Sequence, residues 1–169
     1  MRRAVRVDVV PNEETEAERL DRELEELLQE LRLALPGVQI LFAFLLVVPF
    51  NNRFRETDPA QRAVWFVALL FALGAVGCLI APTAYHRIRF RDFDKEWLVT
   101  MGTRLALAGL VCLATALAAS AFFVVGFVYG DELAGAVAAA AAAALGGLWF
   151  GLPITRAVIR GERDRTPNA

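Results

Sequence analysis

The chain has 169 residues, 57% of them hydrophobic and 22% charged, with a formal net charge of −1 at pH 7. That balance supplies no basic surplus for holding nucleic acid, and the apolar residues are gathered into stretches that a chain this short cannot bury inside itself. The stretches fall at 34–50, 63–82, 105–129 and 133–153, contain no Asp, Glu, Lys or Arg, and each approaches the ~20 residues needed to cross a bilayer core. They predict an all-α integral membrane four-helix bundle with a long amphipathic N-terminal helix.

Residues 1–12 read as a flexible tail. Residues 13–33 read as an amphipathic cytoplasmic helix, made acidic by Glu13, Glu14, Glu16, Glu18, Asp21, Glu23, Glu25, Glu26 and Glu30. Thr15 with Glu18 gives a capping-box pattern near its start, with Asn12 as the alternative cap. Leu20, Leu24, Leu27, Leu31, Ala34, Val38, Leu41, Leu45 and Val48 follow at alternating steps of four and three, a heptad seam that runs unbroken into the first span. A seam of this kind calls for a packing partner, either within the chain, in a second copy, or in another membrane protein.

A helix from about Asn12 to Phe50 is ~55 Å long, so roughly half of it lies outside the bilayer. Pro36 and Gly37 interrupt it at the membrane boundary. The hydrogen bond lost at Pro36 predicts a bend there, serving either as a hinge or as a fixed elbow that lays the acidic half along the membrane surface. The acidic half either docks on the basic segments downstream or stands solvated on its own charge pairs.

Gln39 is the one amide side chain in the first span, and an intramembrane glutamine lines a polar path or bonds a neighbouring helix. Outside that span lie Asn51, Asn52, Arg53, Glu56 and Asp58. In an oligomer built around the first helix they form polar rings at an outer mouth, and otherwise they make an ordinary polar loop. Asp58, Pro59 and Gln61 are the cap, first-turn proline and capping partner of the second helix, which is expected to end at Pro82. From Tyr85 to Phe93, His86, Arg87, Arg89 and Arg91 alternate with apolar residues, as a segment at headgroup level does. His86, the single histidine, has three readings: an interfacial anchor, a contact for lipid phosphate, and a cytoplasmic pH sensor.

Asp94 can cap a third helix that passes Trp97 and Arg104 and stops at Tyr129 and Gly130. The turn at 130–132 forces a tight hairpin with a fourth helix, which carries an alanine run at 138–144 between Gly135 and Gly146–Gly147 and ends near Arg160. Small side chains of this sort let helix backbones approach closely in lipid. Residues 161–169 read as a disordered tail. Pro82 and Pro153 are each followed by Ile and Arg at matching spacing, a pairing read as coincidence rather than an internal repeat.

Of the 18 Lys and Arg residues, all but Arg53, Arg55 and Arg62 fall in the N-terminal segment, the middle segment around 87–104 or the C-terminal tail. The positive-inside rule then puts both termini in the cytoplasm. Lys95 is the only lysine; arginine and alanine in such excess point to a GC-rich bacterial genome and hence to a bacterial inner membrane. No cleavable leader is apparent, because a long charged helix precedes the first span. Cys78 and Cys112 sit in apolar spans without metal-ligand spacing and read as small packing residues. The other polar groups in or near the spans are Thr83, Thr103, Thr115 and Ser120.

The segments "LLQELRLALPGVQILFAFLLVVPF" within 26–50, "APTAYHRIRFR" from Ala81 and "RLALAGLVCL" from Arg104 resemble an uncharacterised bacterial family of four-span membrane proteins, a domain of unknown function. The likeness covers about 16–130. It implies the four-helix fold and supplies no catalytic residues. Some members carry an automatic sodium/proton antiporter label, whereas this chain lacks the mid-membrane carboxylates that proton exchange uses.

No nucleophile, acid pair or metal cluster emerges, so neither a catalytic site nor a cofactor is expected. The leading expectation is a homo-oligomer with a channel-like or transport-related role, its first helix lining or gating the axis. The competing expectation is a non-catalytic accessory subunit that binds another membrane protein through the Leu seam. Membrane lipids are expected partners in both.

Overall fold

The computed structural model describes residues 15–88, 95–152 and 155. Four long helices account for most of them: α1 (Glu16–Val47), α2 (Pro59–Ile88), α3 (Lys95–Tyr129) and α4 (Asp131–Gly146). Two short 3₁₀ turns, Val48–Phe50 and Asn52–Glu56, join α1 to α2, and α4 runs on into a π-helical turn, Gly147–Gly151.

The helix ends follow from local chemistry. Thr15 Oγ1 accepts from the Glu18 backbone N–H at 3.4 Å while Glu18 Oε2 accepts from the Thr15 N–H at 2.9 Å, so both halves of the expected capping box form. The Thr15 N–H, and then its hydroxyl donating to Glu18 Oε2 at 2.9 Å, stabilise the ionised carboxylate and hold Glu18 below its ordinary pKa. At the start of α2, Asp58 Oδ1 accepts from the Gln61 N–H at 2.8 Å, again as the sequence predicts. Gly130, with φ +94°, makes the turn between α3 and α4 in a backbone region that only glycine enters freely.

Helices α1, α2 and α3 interlock through complementary seams. Leu24, Leu31, Val38 and Leu45 are buried along α1, every seventh residue. Facing them on α2 are Ala68, Ala72, Ala75 and Leu79, and on α3 Ala106, Cys112, Leu113 and Ala116 contribute to the same two apolar clusters. Large side chains of α1 thus enter notches left by small residues on its neighbours, the knobs-into-holes geometry of a coiled coil. The closest approaches lie at two glycines of α3. A Cβ built at Gly102 would stand 2.7 Å from Leu27 Cδ2, and one at Gly109 would stand 2.8 Å from Leu79 Cδ2.

The heptad seam takes the first of its three possible uses here. The seam awaiting a partner is filled by this chain's own α2 and α3, because their alanines and glycines make room for it. The helix continues through Pro36 as one α-helix, and Leu27 and Leu31 on the acidic side pack as Val38 and Leu45 do beyond it. The first half of α1 is therefore held against its own chain as the second half is.

Pro82 likewise does not end α2, which continues to Ile88 with the proline inside it. The Pro82 ring is fully buried and lies beside Gly102 of α3, where a built Cβ would come within 3.6 Å of Pro82 Cβ. That packing offsets the one backbone bond lost to the Cys78 carbonyl, a loss helices in lipid tolerate when neighbours cover it. Below it, the Tyr85 and Trp97 rings meet at 4.8 Å between centroids and tie α2 to α3.

Helix α4 differs. It packs on α3 and on its own π-helical extension, and among the described residues its backbone does not come close to that of α1 or α2. Ala134 is its one buried residue, set against Gly126 of α3. Asp94, Arg89, Arg91, Pro153, Arg160 and both terminal tails lie outside the described residues.

Candidate functional site

The polar groups within the spans divide by how their hydrogen bonds are met. On α3, Thr103, Thr115 and Ser120 each donate to the carbonyl four residues back, Val99, Val111 and Ala116, at 2.9, 2.9 and 2.7 Å. Their hydroxyls are spent on their own helix. Gln39 is exposed on the face of α1 turned away from α2 and α3, and its side chain forms no hydrogen bond among the described residues. Pro36 and Gly37 are exposed nearby. Leu20, Leu27 and Leu41 are half-buried along the margins of the seam, whose centre is Leu24, Leu31, Val38 and Leu45.

The loop between α1 and α2 is ordered by its own side chains. Pro49 has no N–H for the Leu45 carbonyl, which instead accepts from the Trp65 indole Nε1 at 3.0 Å. Asn51 Oδ1 accepts from the Arg53 N–H at 3.0 Å. Thr57 is buried; its hydroxyl donates to the Phe54 carbonyl at 2.7 Å and accepts from Arg62 Nε at 3.2 Å. Arg62 also donates through an NH2 group to the Arg55 carbonyl at 3.1 Å. Arg53 Nε lies 3.8 Å from Glu56, with both side chains largely exposed, a pairing that contributes little in water.

Of the residues expected to ring an outer mouth, Asn51 and Asp58 therefore work as caps and Glu56 neighbours Arg53. Asn52 is exposed and makes no hydrogen bond among the described residues. His86 and Arg87 belong to the last turn of α2.

Sequence reading missed a cavity of about 380 Å³ beneath this loop, bounded by α1, the loop and the end of α3. Phe44, Val47, Val48, Phe54, Phe123 and Phe127 form its walls and Asn51, Arg53 and Thr57 its polar rim. Phe54 rings the site to both helices, standing 5.2 Å from Trp65 and 6.3 Å from Phe123 between centroids, and the Arg53 guanidinium lies 5.4 Å over Phe127. A signal existed: Phe44 with Val48, and Phe123 with Phe127, are four apart and share one helix face each.

Among the described residues no group of three His, Cys, Asp or Glu side chains could hold a metal ion. Four helices, Glu18–Phe50, Pro59–Tyr85, Trp97–Tyr129 and Asp131–Gly151, are long and apolar enough to cross a membrane. A multi-pass helical membrane protein is the class these features define. Within that class the chain belongs to a family of unknown function, DUF6328, matched over residues 13–153. The match takes in the alanine-rich fourth helix, beyond the reach of the likeness read from the sequence. No curated protein and no solved structure matches the chain.

Proposed function

We propose that this protein is a homo-oligomeric subunit of a bacterial inner membrane with a channel-like or transport-related role, in which the outward face of α1 meets neighbouring copies. The carrying observation is Gln39, an amide exposed on a spanning helix whose side chain has no hydrogen-bond partner among the described residues. An unbonded amide costs about 4–8 kcal/mol on transfer from water to hydrocarbon. A second copy or a water-lined path removes that cost, and a closed ring of copies supplies both. With the seam occupied internally, assembly through α1 uses the opposite face, where Leu33 and Ile40 are also exposed.

In this reading both termini are cytoplasmic, since only Arg53, Arg55 and Arg62 of the 18 Lys and Arg residues lie at the other side. The 51–58 loop then surrounds the outer end of the axis.

Native mass spectrometry from nanodiscs, followed by ion flux in liposomes, tests the proposal. A closed oligomer of four or more copies is expected, with flux that Gln39→Leu alters while the mass stays the same. A monomer, or an oligomer without flux, would overturn the channel role. The exposed alanine face of α4 supports a second reading, an accessory subunit docked on another membrane protein. One copy bound to a different chain is the result that favours it.

A further inference from the structure

The cavity under the 51–58 loop has two chemistries in one space. Its walls are hydrocarbon and aromatic rings, while its rim offers donors and no carboxylate. The Thr57 hydroxyl is already engaged on both sides, by the Phe54 carbonyl and Arg62 Nε. Asn51 uses only its carbonyl oxygen, leaving its NH2 group available. Arg53 is 73% exposed and turns Nε alone toward Glu56, so its two terminal NH2 groups remain for an oxyanion, the fork geometry that suits phosphate.

The cavity also opens sideways. Phe44 and Val47, two of its wall residues, are 69% and 64% exposed on the outer face of α1. A molecule already in the bilayer can enter without crossing water. At about 380 Å³ the space falls within the range of about 300–1,000 Å³ typical of small-molecule sites. A free anion would leave the phenylalanine walls uncovered, and a plain hydrocarbon would leave Arg53 and Asn51 without an acceptor.

From this geometry we infer that the cavity binds an anionic phospholipid of the loop-side leaflet, its phosphodiester on Arg53 and Asn51 and an acyl chain along Phe44, Phe123 and Phe127. The site is complete in a single chain and does not rest on conduction. Headgroup pockets of this type combine a cation at the interface with an apolar slot beneath it.

The test uses the full chain in nanodiscs of mixed phosphatidylglycerol and phosphatidylcholine, with retained lipids counted by native mass spectrometry. Wild type should keep phosphatidylglycerol in preference. Arg53→Gln should reduce that preference about tenfold, the factor corresponding to about 1.4 kcal/mol. Val47→Trp should block the mouth and reduce retention of both lipids, and thermal melts establish that each variant is folded. Should Val47→Trp fail that check, the exposed Arg53→Gln substitution decides alone. Excess inorganic phosphate should displace nothing. Equal phosphatidylglycerol retention in wild type and Arg53→Gln would overturn the site, and displacement by inorganic phosphate would reassign it to a free oxyanion.

Discussion

The candidate spans of the three-helix core and α4 are all apolar, yet they are held in different ways. Between α1, α2 and α3, large residues enter notches made by small ones, and the contact runs from Leu24 to Leu45 along α1. Between α4 and α3 the backbones approach closely, but Ala134 beside Gly126 is the only residue of α4 that becomes buried, and the alanine run at 138–144 stays at least partly uncovered. In lipid, hydrophobicity does not distinguish one apolar surface from another, so helix association rests on shape and on backbone approach. A matched large and small pair fixes a position. A smooth alanine face leaves its partner open.

Adding bulk at a notch should break this contrast most sharply. In Gly109→Leu even the first added carbon falls under 3 Å from Leu79, at 2.8 Å from Cδ2. Overpacking of this kind typically costs about 1–3 kcal/mol, and unfolding in detergent should show a loss at or above that range. At Gly135 on α4 an added Cβ meets nothing within 4 Å, and in Gly135→Leu monomer stability should change by less than about 0.5 kcal/mol. Equal losses in the two variants would mean that α4 is held as tightly as the core.

A smaller effect sharpens how α1 is joined to α2. Trp65→Phe keeps the ring but removes the donor to the Leu45 carbonyl, and stability should fall by about 1–3 kcal/mol, since the acceptor is left unsatisfied. No change on chemical unfolding would show that water or lipid headgroups replace the bond.

The smallest effect lies at the start of α1. Because the folded-state pKa of Glu18 is lowered from 4.5, its contribution is present above that value and is lost as pH falls through the lowered one. Thr15→Ala removes the two bonds of the Thr15 hydroxyl but keeps the backbone N–H bond to Glu18, and it should weaken this acid-side dependence of helicity, measured by circular dichroism, while leaving neutral-pH packing at Leu31 and Val38 unaltered. An identical acid titration in the two proteins would dismiss the hydroxyl as a source of it.

Much of the core was legible in α1, where charged residues mark the outward face and make the four-and-three rhythm of leucines stand out. Its acceptors keep the same rhythm, at Ala68, Ala72, Ala75, Leu79 and Pro82 on α2 and every seventh residue from Gly102 to Phe123 on α3. They escaped notice because nearly every surrounding residue is apolar too, and periodicity of polarity vanishes when both faces meet oily surroundings. Contrast in side-chain size carries the information there. Pro82 misled for a related reason: a proline reads as a stop in water, whereas here its ring fills space beside Gly102. Gln39 was legible as a lone amide. The phenylalanine-lined cavity was not, since Phe44, Phe54, Phe123 and Phe127 come together only through the loop.

The Trp65 indole bond to Leu45 constrains more than a loop. The carbonyl that Pro49 leaves bare is closed by a group on the next helix, so α1 cannot swivel about its long axis without stripping that oxygen of its proton donor. The azimuth of the first span is thereby locked. Every copy of the protein must display Gln39 at the same compass bearing, and any change of state has to move α1 and α2 together as one rigid strut.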